Sequence, residues 1–134
     1  MKDVIRRFYD EVLNAGDLDV ADEIVGPGFA PRSGEVTGPE ALKKTARYLR
    51  SALPDLRFDL EDLIAEGDRV ASRWTLRGTH EGDFFGFPPT GRRLEVRACV
   101  FFRMENGKVA EIWPVIDSSS LTAARTNAGT AGPP

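Results

Sequence analysis

The stretch Asn106-Gly107-Lys108-Val109-Ala110-Glu111-Ile112-Trp113-Pro114-Val115-Ile116-Asp117 decides the fold. Asn-Gly between two extended runs is a strong hairpin signal, because both residues tolerate the positive φ that a tight two-residue turn requires. It joins the run that follows antiparallel to the run that precedes. Upstream, Leu94, Val96, Ala98, Val100 and Phe102 alternate with Glu95, Arg97, Cys99, Phe101 and Arg103, a strand with one apolar face. Downstream, a period of two puts Val109, Glu111, Trp113, Val115 and Asp117 on one face, on condition that no bulge intervenes. Pro114 has no amide to donate, which implies an edge position or a bulge.

The same alternation recurs further back. Val70, Ser72, Trp74 and Leu76 oppose Arg69, Ala71, Arg73, Thr75 and Arg77, and Glu66-Gly67-Asp68 turns back to a strand with Leu56, Phe58 and Leu60 on one face. Before Pro54 the period becomes helical. Val4, Ile5, Phe8, Tyr9, Val12 and Leu13 form one apolar face over residues 3 to 13, which Asn14-Ala15-Gly16 stops. Asp17 is a candidate N-cap for a short second helix carrying Leu18, Val20, Ala21, Ile24 and Val25. Gly38-Pro39-Glu40 opens a third helix, with Leu42, Ala46, Leu49 and Leu53 as its buried stripe. Helices first and an antiparallel sheet afterwards define an α+β fold, three N-terminal helices packed on one face of a curved sheet. Residues 1–121 make one domain, and the Ala, Thr, Gly and Pro of 122–134 read as a disordered tail.

Composition narrows the function. A chain of 134 residues can bury about two thirds of its unfolded surface and hold a core with a pocket. The net charge of -3, from 18 basic and 21 acidic residues without a basic block, argues against nucleic acid as partner. No run approaches the roughly 18 apolar residues of a membrane span, and no apolar segment leads the chain, so the expected compartment is the cytoplasm. One His and one Cys do not supply a zinc site, and no nucleotide fingerprint occurs, so neither metal nor cofactor is expected. The outer sheet face mixes Arg73, Arg97 and Arg103 with Cys99 and Phe101, and a partly apolar outer face predicts a homodimer.

Asp117 ends an almost wholly apolar run. Beside Trp113 and Val115 its carboxyl group would be desolvated, which raises a carboxyl pKa and suits an acid/base role near neutral pH. The competing reading makes it a strand terminator or a cap opening Asp117-Ser118-Ser119-Ser120.

Val70-Ala71-Ser72-Arg73-Trp74-Thr75-Leu76-Arg77-Gly78-Thr79-His80-Glu81-Gly82-Asp83-Phe84-Phe85-Gly86-Phe87-Pro88-Pro89-Thr90-Gly91-Arg92 resembles the SnoaL-like polyketide cyclases, of the superfamily of cone-shaped folds named after nuclear transport factor 2. Phe8 to Asp19 looks like that family's opening helix and turn, and Asn106 to Trp113 with Asp117 looks like its closing strand, so the similarity covers about residues 4 to 121. The resemblance implies a cofactor-independent intramolecular aldol ring closure on a polyketide-like small molecule in secondary metabolism. Asp117, four residues beyond the closing Trp113, corresponds to the family's general acid/base. Hydroxylase or epoxide hydrolase activity on the same fold, and a non-catalytic binding or dimerisation module, are the alternatives. Ile112 and Arg32 stand where relatives often carry His, and Ala98 replaces a common Gly, which implies an altered pocket.

Ring closure needs a base for the carbon acid, a proton donor for the acceptor carbonyl, and a surface that folds the chain. His80, the only imidazole, either polarises a substrate carbonyl or orients Asp117, in competition with a structural hydrogen bond to the loop backbone. Tyr9, Phe29, Trp74, Phe84, Phe87 and Trp113 are the candidate walls of a flat pocket, in competition with plain core roles. Arg73 and Arg97 belong to the outer face, and Cys99, without a base in its strand, reads as an inert buried thiol.

Overall fold

The computed structural model describes residues 1–31 and 36–117; Arg32, the end of the domain at 121 and the tail 122–134 lie outside the described residues. Four strands, β1 (Arg57–Glu66), β2 (Arg69–Thr79), β3 (Arg93–Glu105) and β4 (Lys108–Ile116), form an antiparallel sheet in the order β1-β2-β3-β4. The β3–β4 hairpin closes at Asn106 and Gly107 with φ of 54° and 76°, the positive values that an Asn-Gly turn supplies. In β3 the alternation holds throughout: Leu94, Val96, Ala98, Val100 and Phe102 are buried, while Glu95, Arg97, Cys99 and Phe101 are exposed. Cys99 is therefore not the buried thiol expected, because it shares the outer face with the arginines.

The first helix is not regular. α1 (Lys2–Arg7) runs on into a wider π-helical stretch, Phe8–Asn14, whose end is marked by Ala15 donating to Asp10 O at 3.0 Å. The expected second helix is a 3-10 turn, Leu18–Val20, followed by the four residues of α2 (Ala21–Ile24), and Asp17 stands at its N-cap without a side-chain capping bond. α3 (Pro39–Ala52) begins with Pro at its first turn and buries Leu42, Ala46 and Leu49 as its spacing predicts. These helices cover the inner sheet face. Phe102, fully buried, meets the rings of Phe8 at 5.3 Å and Tyr9 at 6.2 Å, which ties the opening helix to the third strand.

Two bulges bend the sheet. In β1, Leu60 faces Trp74 and Asp62 faces Arg73, leaving Glu61 extra. In β4, Val109 faces Met104 and Glu111 faces Arg103, leaving Ala110 extra. That one residue changes the facing of everything after it. Val109 is buried, yet Glu111, Trp113 and Val115 are exposed on the outer face, so the five residues of the simple alternation do not share a side. Pro114 lies on the sheet's edge strand, where a missing amide costs no ladder bond. On the outer face Arg73 pairs with Asp62 at 2.7 Å, Arg77 with Asp59 at 2.7 Å and with Glu95 at 3.1 Å, and Arg103 with Glu111. Solvent-facing pairs of this kind contribute about 1 kcal/mol each at most.

Candidate active site

Between the helices and the concave sheet lies a cavity of about 410 Å³. Its walls come from every layer: Tyr9 and Leu13 from the opening helix, Leu42, Thr45 and Leu49 from α3, Phe58, Trp74, Val96 and Val100 from the sheet, and Phe84 and Phe85 from the β2–β3 loop. β4 contributes Ile112, Pro114 and Ile116, the side chains that the bulge turns inward. Of the predicted pocket residues the structure brings together Tyr9, Phe29, Trp74 and Phe84.

The other two do not line it. Trp113 is 40% exposed on the outer face with the Arg69 guanidinium 5.0 Å from its ring centre, a consequence of the bulge. Phe87 is half-buried and pairs with Phe84 through two backbone hydrogen bonds of 3.0 Å, so it closes the loop rather than facing the cavity.

His80 is buried but also absent from the walls. Its Nε2 lies 3.1 Å from Phe87 O and its Nδ1 3.3 Å from Thr90 Oγ1, while its backbone accepts from Gly91 N at 2.8 Å. The imidazole pins the loop and, through an edge contact at 6.2 Å, backs the cavity-lining Phe84. The structural one of its sequence readings describes this geometry.

Asp117 follows β4 on the Trp113 face, and its surroundings are not the apolar ones expected. Its Oδ2 pairs with Arg97 Nε at 3.4 Å, its side chain is 40% exposed, and its amide donates to Arg97 O at 2.9 Å. Its neighbour Ile116 lines the cavity, so the carboxylate stands across the strand end from it.

Among the described wall residues, polar side chains are few. Thr45 Oγ1 donates to Ala41 O at 3.0 Å and Trp74 Nε1 donates to Tyr9 Oη at 2.8 Å. Burial pushes the Tyr9 phenol well above its ordinary range, against a smaller lowering by its bonds to Ser72 and Trp74, so at neutral pH it keeps its proton. Among the described residues no group of His, Cys, Asp and Glu is placed to hold a metal ion, and no helix is long and apolar enough to cross a membrane. Ile112, Pro114 and Ile116 are the wall residues that period-two reasoning missed. The signal for them was Pro114, which pointed to an irregular edge without saying where the extra residue sits.

A family profile described as SnoaL-like polyketide cyclase matches residues 3–125. The chain belongs to that family. It is similar to the aklanonic acid methyl ester cyclase DnrD of Streptomyces peucetius, 32% identical over 121 residues that cover 84% of this chain and 82% of that protein. The cyclase DauD of a Streptomyces species, named for the same ester, is 31% identical over 121 residues, 84% of this chain and 74% of that protein. The structure of TsrD from Streptomyces laurentii superposes with a TM-score of 0.84 at 29% identity, covering 92% of each chain. Family membership makes this α+β fold an enzyme of the polyketide cyclase type with a small-molecule substrate.

Proposed function

We propose that the protein closes a carbocyclic ring in a polyketide ester by intramolecular aldol addition, with Asp117 as general acid/base. The observation that carries the reading is the cavity: about 410 Å³, with Phe29, Phe58, Trp74 and Phe84 among its walls, room and apolar surface for folding a flat conjugated chain. The names of DnrD and DauD, cyclases of aklanonic acid methyl ester, support a polyketide methyl ester as the substrate class. In the reaction a carbon-bound proton leaves to the base, the enolate carbon attacks the carbonyl carbon, and the new alkoxide collects the proton. Asp117 serves both transfers by leaving Arg97 and turning about the end of β4 towards the cavity that its neighbour Ile116 lines.

Two variants test the assignment with aklanonic acid methyl ester as substrate. Asp117→Asn is expected to lower turnover by roughly 10² to 10⁴ with ligand affinity nearly intact. Arg97→Gln, which removes the ion pair to Asp117, is expected to raise turnover. Unchanged turnover in Asp117→Asn ends the role of Asp117.

The same reading places the enzyme in the cytoplasm as a homodimer. Phe101, Trp113 and Val115 are 47%, 40% and 58% exposed on the outer sheet face, an apolar patch ringed by ion pairs that suits a second copy. Sedimentation at micromolar concentration is expected to show a species of twice 14.7 kDa; a 14.7 kDa species alone removes the dimer.

A further inference from the structure

Three of the described residues lining the cavity, Tyr9, Thr45 and Trp74, carry a side chain able to donate a strong hydrogen bond. Two of those donors are committed, Thr45 to Ala41 O and Trp74 to Tyr9. The third is not. Tyr9 Oη already accepts from Trp74, so its own proton must go elsewhere, and the partner found is Ser72 Oγ at 3.4 Å. That is longer than an ordinary hydroxyl–oxygen bond of about 2.5–3.0 Å. Ser72 is itself occupied as a donor, to Val100 O at 3.2 Å. The Tyr9 hydroxyl proton is the one loosely held donor in the described wall of the cavity.

The ring that carries it is firmly held. Tyr9 is 2% exposed and packs against Phe8 at 5.2 Å, Phe58 at 5.5 Å, Trp74 at 6.2 Å and Phe102 at 6.2 Å. It also lies in the π-helical stretch Phe8–Asn14, a local widening of the helix that recurs at functional positions. A donor on a fixed ring, among apolar walls, and polarised by a second donor at its oxygen needs only to swing its proton from Ser72 as charge develops opposite it.

We propose that Tyr9 is the oxygen-binding residue of the cavity: its hydroxyl donates to the substrate carbonyl oxygen that becomes the alkoxide, and Trp74 positions it. The inference rests on the ring-closure reading for the identity of the reaction and on the cavity alone for the contact. Proton balance is simple. The base removes the carbon-bound proton, the carbon–carbon bond forms, the carbonyl π pair moves to oxygen, and the protonated base then protonates that oxygen. Tyr9 keeps its own proton throughout and stabilises the charge by its hydrogen bond.

The probe is 9-fluorenone, a flat aromatic ketone whose carbonyl stretch reports hydrogen bonding without any chemistry. Bound to the wild type, its stretch is expected below the value in a hydrocarbon solvent. In Tyr9→Phe it is expected to return to the hydrocarbon value, with affinity falling about threefold to tenfold. Ser72→Ala, which removes the competing acceptor and keeps the phenol, is expected to retain the lowered stretch and bind at least as tightly. With a polyketide ester, Tyr9→Phe is expected to lose roughly 10²–10³ in kcat with KM changed only a few-fold. Ester turnover with a hydrocarbon-like stretch in the wild type, or a lowered stretch that persists in Tyr9→Phe, overturns the role of Tyr9 and leaves ring closure standing. A stretch lowered by Tyr9 without ester turnover upholds the contact and removes ring closure. Absence of saturable fluorenone binding overturns the inference outright.

Discussion

Gly82 is where one added methyl group tests how the cavity wall is hung. A Cβ there would lie 2.5 Å from Ser51 O, 3.1 Å from Ala52 Cα and 3.1 Å from the Ser51 carbonyl carbon, all backbone atoms that end α3 and cannot rotate away. Glu81 N and Gly82 N both donate to Ala52 O at 3.0 Å, so the loop is fastened at the point that Gly82→Ala would force apart. Losing those two bonds costs about 1 kcal/mol each, and strain from the overpacked contact is of order 1 kcal/mol more. The expected destabilisation is about 3 kcal/mol, or roughly 10 °C in Tm for a chain of this size. Phe84 and Phe85 follow two and three residues on and line the cavity, so fluorenone affinity is expected to fall with stability. Urea denaturation followed by tryptophan fluorescence measures the first effect and titration the second. Gly28→Ala is the control, because a Cβ there meets nothing within 4 Å, and it is expected to stay within about 0.5 kcal/mol of the wild type. If Gly82→Ala is as benign as Gly28→Ala, the loop is not seated on α3 as described.

Other predictions follow from single contacts. Asp55 accepts from Thr79 N at 2.6 Å and Thr79 Oγ1 at 2.7 Å, and these bonds, with Arg93 nearby, hold its carboxyl below the ordinary 3.8. A lowered folded-state value gives stability that is present above the unfolded value and lost as pH falls through the folded one. The stability difference between wild type and Asp55→Asn should thus be constant above about pH 4 and shrink below it in urea titrations at stepped pH. Of the two tryptophans, Trp74 lines the cavity and Trp113 lies on the outer face, so Trp74→Phe should abolish ligand-dependent fluorescence quenching and Trp113→Phe should preserve it. Quenching carried by Trp113 would mean that the outer face, not the cavity, takes the ligand.

Legibility followed how local each determinant was. Leu94 to Phe102 alternate without interruption and Val70 to Trp74 do the same, so strand and facing were readable there, while Thr75, expected outside with the arginines, is buried between Trp74 and Leu76; Asn106-Gly107 set the hairpin. The family was readable from the segments around Gly78-Thr79-His80 and Pro88-Pro89-Thr90-Gly91-Arg92, and the profile match bears it out. What failed were positions after an inserted residue. The bulge at Ala110 reverses the facing of Trp113 and brings in Ile112 and Ile116, and it depends on how β4 meets Met104 and Arg103 in space. Tyr9 was readable as a wall residue, but its spare donor was not, since that rests on distances to Trp74 and Ser72 more than sixty residues away.

The most direct test is whether the wild-type protein converts aklanonic acid methyl ester. Followed by liquid chromatography with mass detection, intramolecular aldol addition predicts a product of unchanged mass, one ring more, formed faster than in buffer alone and in proportion to enzyme. Saturable quenching of Trp74 by the ester with no product above the uncatalysed level would contradict ring closure and leave a cavity that binds without reacting.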